Sequence, residues 1–161
     1  WVVPGTPGLE RRVGGLGKQD ITGNVSYDPD DHEHIVKLRR EKVARIADAI
    51  PDLEVMGPDQ GELLVVGWGG TYGAIRAAVE KMQSAGKSVA SIHLRHLNPF
   101  PKNLGNILGR YRQILVPELN LGQLAFVLQA RYPVRVVTLN KVQGQPFKIE
   151  EITTKIQQIL D

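Results

Sequence analysis

The chain has 161 residues, of which 42% are hydrophobic and 23% are charged, proportions typical of a globular protein with one hydrophobic core. Its formal net charge of +3 is small and its basic residues are dispersed, which argues against nucleic-acid binding. The absence of cysteine excludes disulfides, a thiol nucleophile, and thiolate ligation of zinc or an iron–sulfur cluster by this sequence.

The apolar stretches of the sequence, such as residues 63–66, are far too short to cross a bilayer. The first residues, Trp1 to Pro4, lack the basic and apolar regions of a signal peptide, and no initiator methionine precedes them. We therefore expect a cytoplasmic protein without a membrane partner. We interpret the sequence as a piece of a longer chain or as a processed form.

Residues 1–29 predict an irregular, glycine-rich linking segment, because glycines and prolines recur there without a helical or strand period. A single α/β domain is predicted over residues 30–161. It begins with a long helix at about residues 30–49. Pro29, Asp30 and Asp31 suit the first turn of that helix, and apolar residues follow at helical spacing.

The run of acids and histidines at the start of this helix has the composition of a metal site. On a helix, however, His32 and His34 are two residues apart and point in different directions, so they would not share an ion. The acids are explained by the positive end of the helix dipole. We therefore predict no metal site here.

Strands and helices alternate over the rest of the chain. Strands are predicted at residues 53–56, 62–67, 89–94, 114–117 and 134–139, and helices at residues 71–85, 104–111, 121–132 and 149–160. Such alternation is typical of right-handed β-α-β units, with a mostly parallel sheet covered by helices. The order of the strands is not readable from the sequence.

The glycine-rich segment at residues 67–73 is the strongest candidate for a ligand-binding or interface loop. Gly67, Gly69, Gly70 and Thr71 follow a buried strand and precede a helix, where backbone amides can hold an anion. The dinucleotide fingerprint would need a third glycine where Tyr72 stands. A tight turn with Thr71 as a helix cap is the favoured interpretation.

Two other strand ends carry polar side chains. His93 and His96 flank Arg95, at a position where open α/β sheets place ligands, although packed histidines are the commoner outcome. Glu118, Asn120 and Gln123 follow the next strand. Their residue types are explained equally well by capping of the following helix and by contact with a partner domain. We find no nucleophile constellation and predict no catalytic residue.

Four strings give the sequence a family resemblance, at residues 63–75, 93–101, 116–124 and 141–147, supported by residues 5–8, 14–16 and 22–29. Together they resemble the C-terminal domain of the α subunits of 2-oxoacid:ferredoxin oxidoreductases, nearer to the 2-oxoglutarate branch than to the pyruvate branch. The resemblance implies a transketolase C-terminal-domain-like fold. This is a three-layer α/β/α domain with a mostly parallel five-stranded sheet, in which residues 53–56 supply the antiparallel strand.

The resemblance also implies a reaction for the holoenzyme, the oxidative decarboxylation of 2-oxoglutarate to succinyl-CoA, or its reverse. The implied holoenzyme cofactors are thiamine diphosphate, magnesium and an iron–sulfur cluster, held by other domains or subunits. The implied partners are the β subunit, the N-terminal domains of the same subunit, ferredoxin and coenzyme A. This sequence has neither the cluster cysteines nor the diphosphate-binding motif. We therefore expect a structural and interface role, without activity of the fragment alone.

A doubly charged 2-oxoacid needs fixed cations, and the linking segment offers Arg11 and Arg12. We predict one of them as a carboxylate contact, Arg12 above Arg11 because the family often has histidine at the latter position, with Thr22 and Asn24 nearby. Two alternatives remain open. One is a stand-alone nucleotide- or coenzyme-binding domain that uses residues 67–73, and the other is an interaction module without a ligand.

Overall fold

The computed structural model describes residues 3–10, 13–15 and 17–161. The chain divides into two compact units, Trp1–Ala47 and Asp48–Asp161. The division falls after the long helix, and the sequence-based boundary after residue 29 stays a prediction. No helix in the described ranges has both the length and the apolar character that a membrane span requires.

The first unit contains a short antiparallel hairpin and one long helix. The hairpin pairs β1 (Gly17–Lys18) with β2 (Val25–Ser26), and helix α1 spans Pro29–Arg45. Asp28 caps the helix by accepting hydrogen bonds from the backbone amides of Asp30 and Asp31, at 2.8 and 3.3 Å. A 3-10 turn, Ile46–Ala49, follows α1, so the predicted helix at residues 30–49 is confirmed.

The second unit contains a four-stranded parallel sheet in the order β4-β3-β5-β6. Its strands are β3 (Gly61–Trp68), β4 (Val89–Leu94), β5 (Tyr111–Glu118) and β6 (Val136–Asn140). Its helices are α2 (Tyr72–Ser84), α3 (Leu104–Leu108), α4 (Gln123–Arg131) and α5 (Ile149–Leu160). The predicted α/β class with a mostly parallel sheet is confirmed.

The central strand β3 shows why the helices lie on both faces of the sheet. Successive side chains of a strand point to opposite faces, and four consecutive apolar residues of β3 are fully buried. Leu63 and Val65 pack with residues of α2 and α5. Leu64 and Val66 pack with residues of α3 and α4. A continuous apolar run is what a strand covered on both faces requires, and the result is the three-layer arrangement.

The predicted fifth strand at residues 53–56 is reduced to one antiparallel bridge, in which Met56 and Ser91 exchange backbone hydrogen bonds of 2.9 and 3.0 Å. The backbone amide and carbonyl of Leu53 instead pair with the side-chain amide of Asn103, both at 3.0 Å. Pro58 lacks the amide that a longer ladder needs. The segment therefore runs in the implied direction but pairs only at its end.

The short helix α3 ends earlier than the predicted helix at residues 104–111. Its C-cap is Gly109, and Tyr111 already belongs to β5, where it pairs with Gly61. The hydroxyl of Tyr111 donates a hydrogen bond to the carbonyl of Pro58. Tertiary contacts therefore turn the end of the predicted helix into the first residue of a strand.

Candidate functional site

The order of the strands defines a switch point at the carboxyl edge of the sheet. The chain leaves β3 for β4 on one side and returns to β5 on the other side. Ligands of open α/β domains bind outside the carboxyl ends of two such strands. Here those ends are occupied by Trp68 of β3 and Glu118 of β5.

The carboxylate of Glu118 is fully buried and accepts four hydrogen bonds. The donors are the indole Nε1 of Trp68 at 3.2 Å, the side-chain amide of Asn120 at 3.1 Å, and the backbone amides of Leu124 and Ala125 at 2.9 and 3.0 Å. Leu124 and Ala125 lie in the first turn of α4, whose positive end attracts an anion. The protein therefore fills this anion-binding position with its own side chain.

Asn120 shapes the loop that precedes α4. Its Oδ1 accepts from the backbone amides of Gly122 at 2.7 Å and Gln123 at 3.1 Å. Gly122 has a φ of 94°, and a Cβ there would approach the side chain of Asn140 to 3.2 Å, so two independent constraints favour glycine. Glu118, Asn120 and Gln123 thus come together as a helix-capping cluster, while their contact with a partner domain stays a prediction.

The loop after β3 combines one packed glycine with two open ones. A Cβ on Gly67 would lie 2.6 Å from Cδ1 of Ile75, whereas nothing lies within 4 Å of a Cβ on Gly69 or Gly70. The hydroxyl of Thr71 accepts from the backbone amide of Trp68 at 3.2 Å and donates to its carbonyl at 2.8 Å. Thr71 therefore closes the turn, and Gly69 and Gly70 lie exposed within it.

His93 lies beside the same loop, at the end of β4. Its ring meets Tyr72 edge to face, with ring centroids 5.0 Å apart. Burial, with a smaller contribution from the positive charge of Arg95, lowers the pKa of His93 below its ordinary value. The imidazole is therefore held neutral near pH 7, which suits a packed or hydrogen-bonding role.

In the first unit, two of the predicted substrate contacts lie together in the loop of the hairpin. The hydroxyl of Thr22 donates to Gln19 at 3.0 Å and accepts from the backbone amide of Asn24 at 3.3 Å. Both residues are exposed. The other two predicted contacts, Arg11 and Arg12, lie outside the described residues. The substrate role of all four stays a prediction.

The histidines of α1 are not arranged as metal ligands in the structure. Nε2 of His34 pairs with the carboxylate of Asp20 at 2.9 Å, which lowers the pKa of Asp20. Across the described parts of the chain, no group of three histidine, cysteine or acidic residues is arranged to hold a metal ion. The Asp20–His34 pair instead connects the hairpin loop to α1.

Lys141, which follows β6, is a buried charge that the sequence analysis missed. Its Nζ lies 3.0 and 2.9 Å from the two carboxylate oxygens of Glu151 and 3.0 Å from the carbonyl of Pro146. These contacts fasten the loop after β6 to α5. The partners are five and ten residues away, and the only sequence signal was the position of Lys141 inside a family-like string.

The second unit is thus a three-layer α/β domain whose switch point is closed by the buried carboxylate of Glu118. The family model for pyruvate:ferredoxin oxidoreductase core domain II matches residues 61–152. The chain belongs to this family, as its sequence strings indicated.

Relatives within the family are subunits of 2-oxoacid oxidoreductases. The chain is 48% identical over 153 residues to the 2-oxoglutarate oxidoreductase subunit KorA of Mycobacterium tuberculosis, covering 94% of this chain and 23% of that subunit. It is 29% identical over 131 residues to the 2-oxoglutarate synthase subunit KorA of Methanothermobacter marburgensis, covering 80% and 35%. The chain therefore spans a quarter to a third of these relatives.

Two solved structures resemble the chain in fold. The 2-oxoglutarate:ferredoxin oxidoreductase of Magnetococcus marinus aligns with a TM-score of 0.89 at 26% identity, over 99% of this chain and 28% of that chain. A split-gene transketolase aligns with a TM-score of 0.50 at 18% identity, over 62% of this chain and 38% of that chain, which supports the fold alone. The transketolase-like fold that the resemblance implied is confirmed.

Proposed function

We propose that the chain is the core domain II portion of the α subunit of a 2-oxoglutarate:ferredoxin oxidoreductase. In the holoenzyme, a cytoplasmic assembly, it would take part in the oxidative decarboxylation of 2-oxoglutarate to succinyl-CoA, or the reverse. The 48% identity to the Mycobacterium tuberculosis subunit carries this proposal. It is supported by the Magnetococcus marinus enzyme, which was solved with 2-oxoglutarate, coenzyme A and succinyl-CoA bound.

The cofactors of the proposed reaction belong, in this proposal, to other domains and subunits. Thiamine diphosphate would supply the electron sink for decarboxylation, and an iron–sulfur cluster would pass electrons to ferredoxin. The residues of this chain do not fit these groups. The sequence has no cysteine for a cluster, and both oxygens of Glu118 already accept hydrogen bonds from the domain itself.

The role proposed for this chain is to dock against the other domains of its subunit and against the β subunit. The loops at the carboxyl edge of the sheet present exposed apolar side chains, Leu119 after β5 and Val142 after β6. Leu121, beside them in sequence, is 82% exposed. Apolar side chains grouped at one edge of a domain are typical of a protein interface.

The proposed contribution to the substrate comes from the linking segment. A guanidinium at Arg12 or Arg11 would bind a carboxylate of 2-oxoglutarate, and Thr22 and Asn24 would add hydroxyl and amide groups. The hairpin that carries Thr22 and Asn24 is fixed to α1 by the Asp20–His34 pair. That attachment would keep the loop in one position as the substrate binds.

The test is Arg12→Ala in the complete α subunit mixed with the β subunit, assayed by 2-oxoglutarate-dependent viologen reduction. Loss of a charged hydrogen bond to substrate should raise KM for 2-oxoglutarate by about tenfold or more. The matched control is Arg112→Ala, whose guanidinium pairs with the exposed Glu62 at 3.3 Å. An unchanged KM in Arg12→Ala would contradict the substrate role, and an assembly that uses pyruvate alone would contradict the proposed acyl specificity.

A further inference from the structure

A cavity of about 870 Å³ lies within the second unit, beside the carboxyl end of β4. Its walls are the segment at residues 51–56, the first turns of α2 and the end of β4. The volume falls in the range of small-molecule sites, about 300–1,000 Å³. None of the groups assigned above to capping, Glu118, Asn120 or Thr71, lines it.

Four charged or titratable side chains in this cavity have no hydrogen-bond or ion-pair partner among the described residues. They are Arg95 and His96 at the end of β4, and Asp52 and Glu54 in the segment before β3. The two acids and Arg95 therefore line one cavity without neutralising one another. The guanidinium of Arg95 therefore remains able to bind an anion. The carboxylates of Asp52 and Glu54 remain able to accept hydrogen bonds from a ligand.

Tyr72 adds an aromatic ring that is held in place. Its hydroxyl accepts a hydrogen bond from Arg76 at 3.0 Å, its ring meets His93 edge to face, and its side chain is half-exposed to the cavity. Arg76 is itself paired with Glu80 at 2.9 Å, so the tyrosine is braced by an ion-paired guanidinium. A fixed, accessible ring is a platform on which a nucleobase can stack.

These groups follow only in part the arrangement by which a β-α-β unit binds a nucleotide. In such units the ribose meets an acid at the end of the second strand, or an arginine there accepts a phosphate. Here the second strand, β4, ends in Arg95, and the acids come from the preceding segment, at Asp52 and Glu54. Sequence spacing alone does not reveal this, because Asp52 and Arg95 are separated by β3, α2 and β4.

We propose that this cavity binds a nucleoside phosphate. Its phosphate binds the guanidinium of Arg95, its sugar hydroxyls donate to Asp52 and Glu54, and its base stacks on Tyr72. This inference does not depend on the proposed enzyme activity, because it rests on the cavity of the second unit alone. The ligand chemistry has two sources, a free nucleotide and the adenosine phosphate portion of coenzyme A.

The test is calorimetric titration of the chain with ADP, coenzyme A, adenosine and inorganic phosphate. ADP should bind at least about tenfold more tightly than adenosine or phosphate, because only ADP engages both the cation and the acids. If coenzyme A binds more tightly than ADP, the ligand of the cavity is the coenzyme. If coenzyme A binds as tightly as ADP or more weakly, the ligand is the free nucleotide. Either result supports the site if the variants below agree.

Arg95→Ala should weaken ADP binding by about tenfold or more, since one charged hydrogen-bonding partner is lost. The double variant Asp52→Asn, Glu54→Gln should weaken ADP binding severalfold while binding of inorganic phosphate is unchanged or stronger. Arg112→Ala, an exposed arginine at the opposite end of the sheet, is the matched control and should bind ADP normally. All four positions are exposed, so each of the three variants should keep the melting temperature of the parent chain.

Two results would overturn the proposal. One is the absence of measurable ADP and coenzyme A binding at millimolar concentration. The other is binding that Arg95→Ala leaves unchanged, because the nucleotide would then lie elsewhere on the chain.

Discussion

At the scale of single residues, Glu118 is a fully buried charge at the carboxyl edge of the sheet. A carboxylate offers acceptors only, and all four groups around it are donors. Replacing one oxygen by an amide nitrogen would place a donor against a donor. Since the site is fully buried, no water replaces the lost bonds without a local opening of the fold.

We therefore predict that Glu118→Gln lowers the free energy of unfolding by about 2–3 kcal/mol. Urea unfolding at pH 7 measures this change. Glu62→Gln serves as the control, because Glu62 is exposed and has one 3.3 Å ion pair, and its effect should stay below about 0.5 kcal/mol. Equal stability of the two variants would mean that the Glu118 cluster does not hold the edge together.

Glu151 gives a prediction for the pH dependence of stability. Hydrogen bonding to Lys141, with a smaller contribution from the backbone amide of Lys148, lowers the pKa of Glu151 from its ordinary 4.5. A folded-state pKa below the unfolded value stabilises the folded protein above pH 4.5. That contribution is lost as the pH falls through the lowered folded-state pKa.

We expect Glu151→Gln to be less stable than the parent chain at pH 7, and the difference to shrink as the pH falls below 4.5. Urea unfolding at pH 7 and pH 3 measures both differences. Glu150→Gln changes an exposed neighbour that has no ion pair among the described residues, and it should show no such dependence. A difference for Glu151→Gln that is constant across this range would contradict the assigned cause.

At the scale of elements, Gly67 decides how closely α2 packs on β3. An added Cβ would lie 2.6 Å from Cδ1 of Ile75 and 3.2 Å from Nδ1 of His93, so a side chain must shift. Gly67→Ala should cost about 1–3 kcal/mol of unfolding free energy, the usual range for overpacking. Gly70→Ala is the control, because nothing lies within 4 Å of a Cβ there.

Combining Gly67→Ala with Ile75→Val tests the cause of that cost. The valine lacks the Cδ1 atom that the new Cβ would strike, so part of the loss should be recovered. Chemical denaturation of the two single variants and the double variant gives the coupling energy. Strictly additive effects would show that the contact between Gly67 and Ile75 is not the source.

Elements with an uninterrupted local pattern could be predicted from the sequence, and those fixed by distant contacts could not. The strand at residues 89–94 and the helix at residues 149–160 have the predicted bounds, because apolar runs and helical spacing mark their ends. Helix α4 starts at Gln123, two residues later than predicted, because Asn120 and Gly122 form its cap. The predicted strand at residues 53–56 shrinks because Asn103, fifty residues away, binds its backbone.

The candidate site likewise has features that could be predicted from the sequence and features that depend on distant contacts. Asn120 as a helix cap follows from its residue type and position. The pairing of Trp68 with Glu118 does not, because it depends on β3 and β5 being neighbours. Sequence spacing carries no information about the order of the strands. The contact between these two strand ends could therefore be recognised only in the structure.

At the scale of the whole molecule, the chain has a complete hydrophobic core but only part of the length of its relatives. Its second unit buries apolar side chains on both faces of the sheet, and its carboxyl edge presents apolar side chains outward. Together with the family assignment, these features agree with the proposal that the chain is an accessory domain of a larger assembly.

The most direct test of that claim is 2-oxoglutarate- and coenzyme A-dependent viologen reduction, measured for this chain alone and for the complete α subunit mixed with the β subunit. We predict activity in the assembly and none above background for the chain alone. Turnover by the chain alone would contradict the accessory role, and an assembly inactive with 2-oxoglutarate would contradict the proposed reaction.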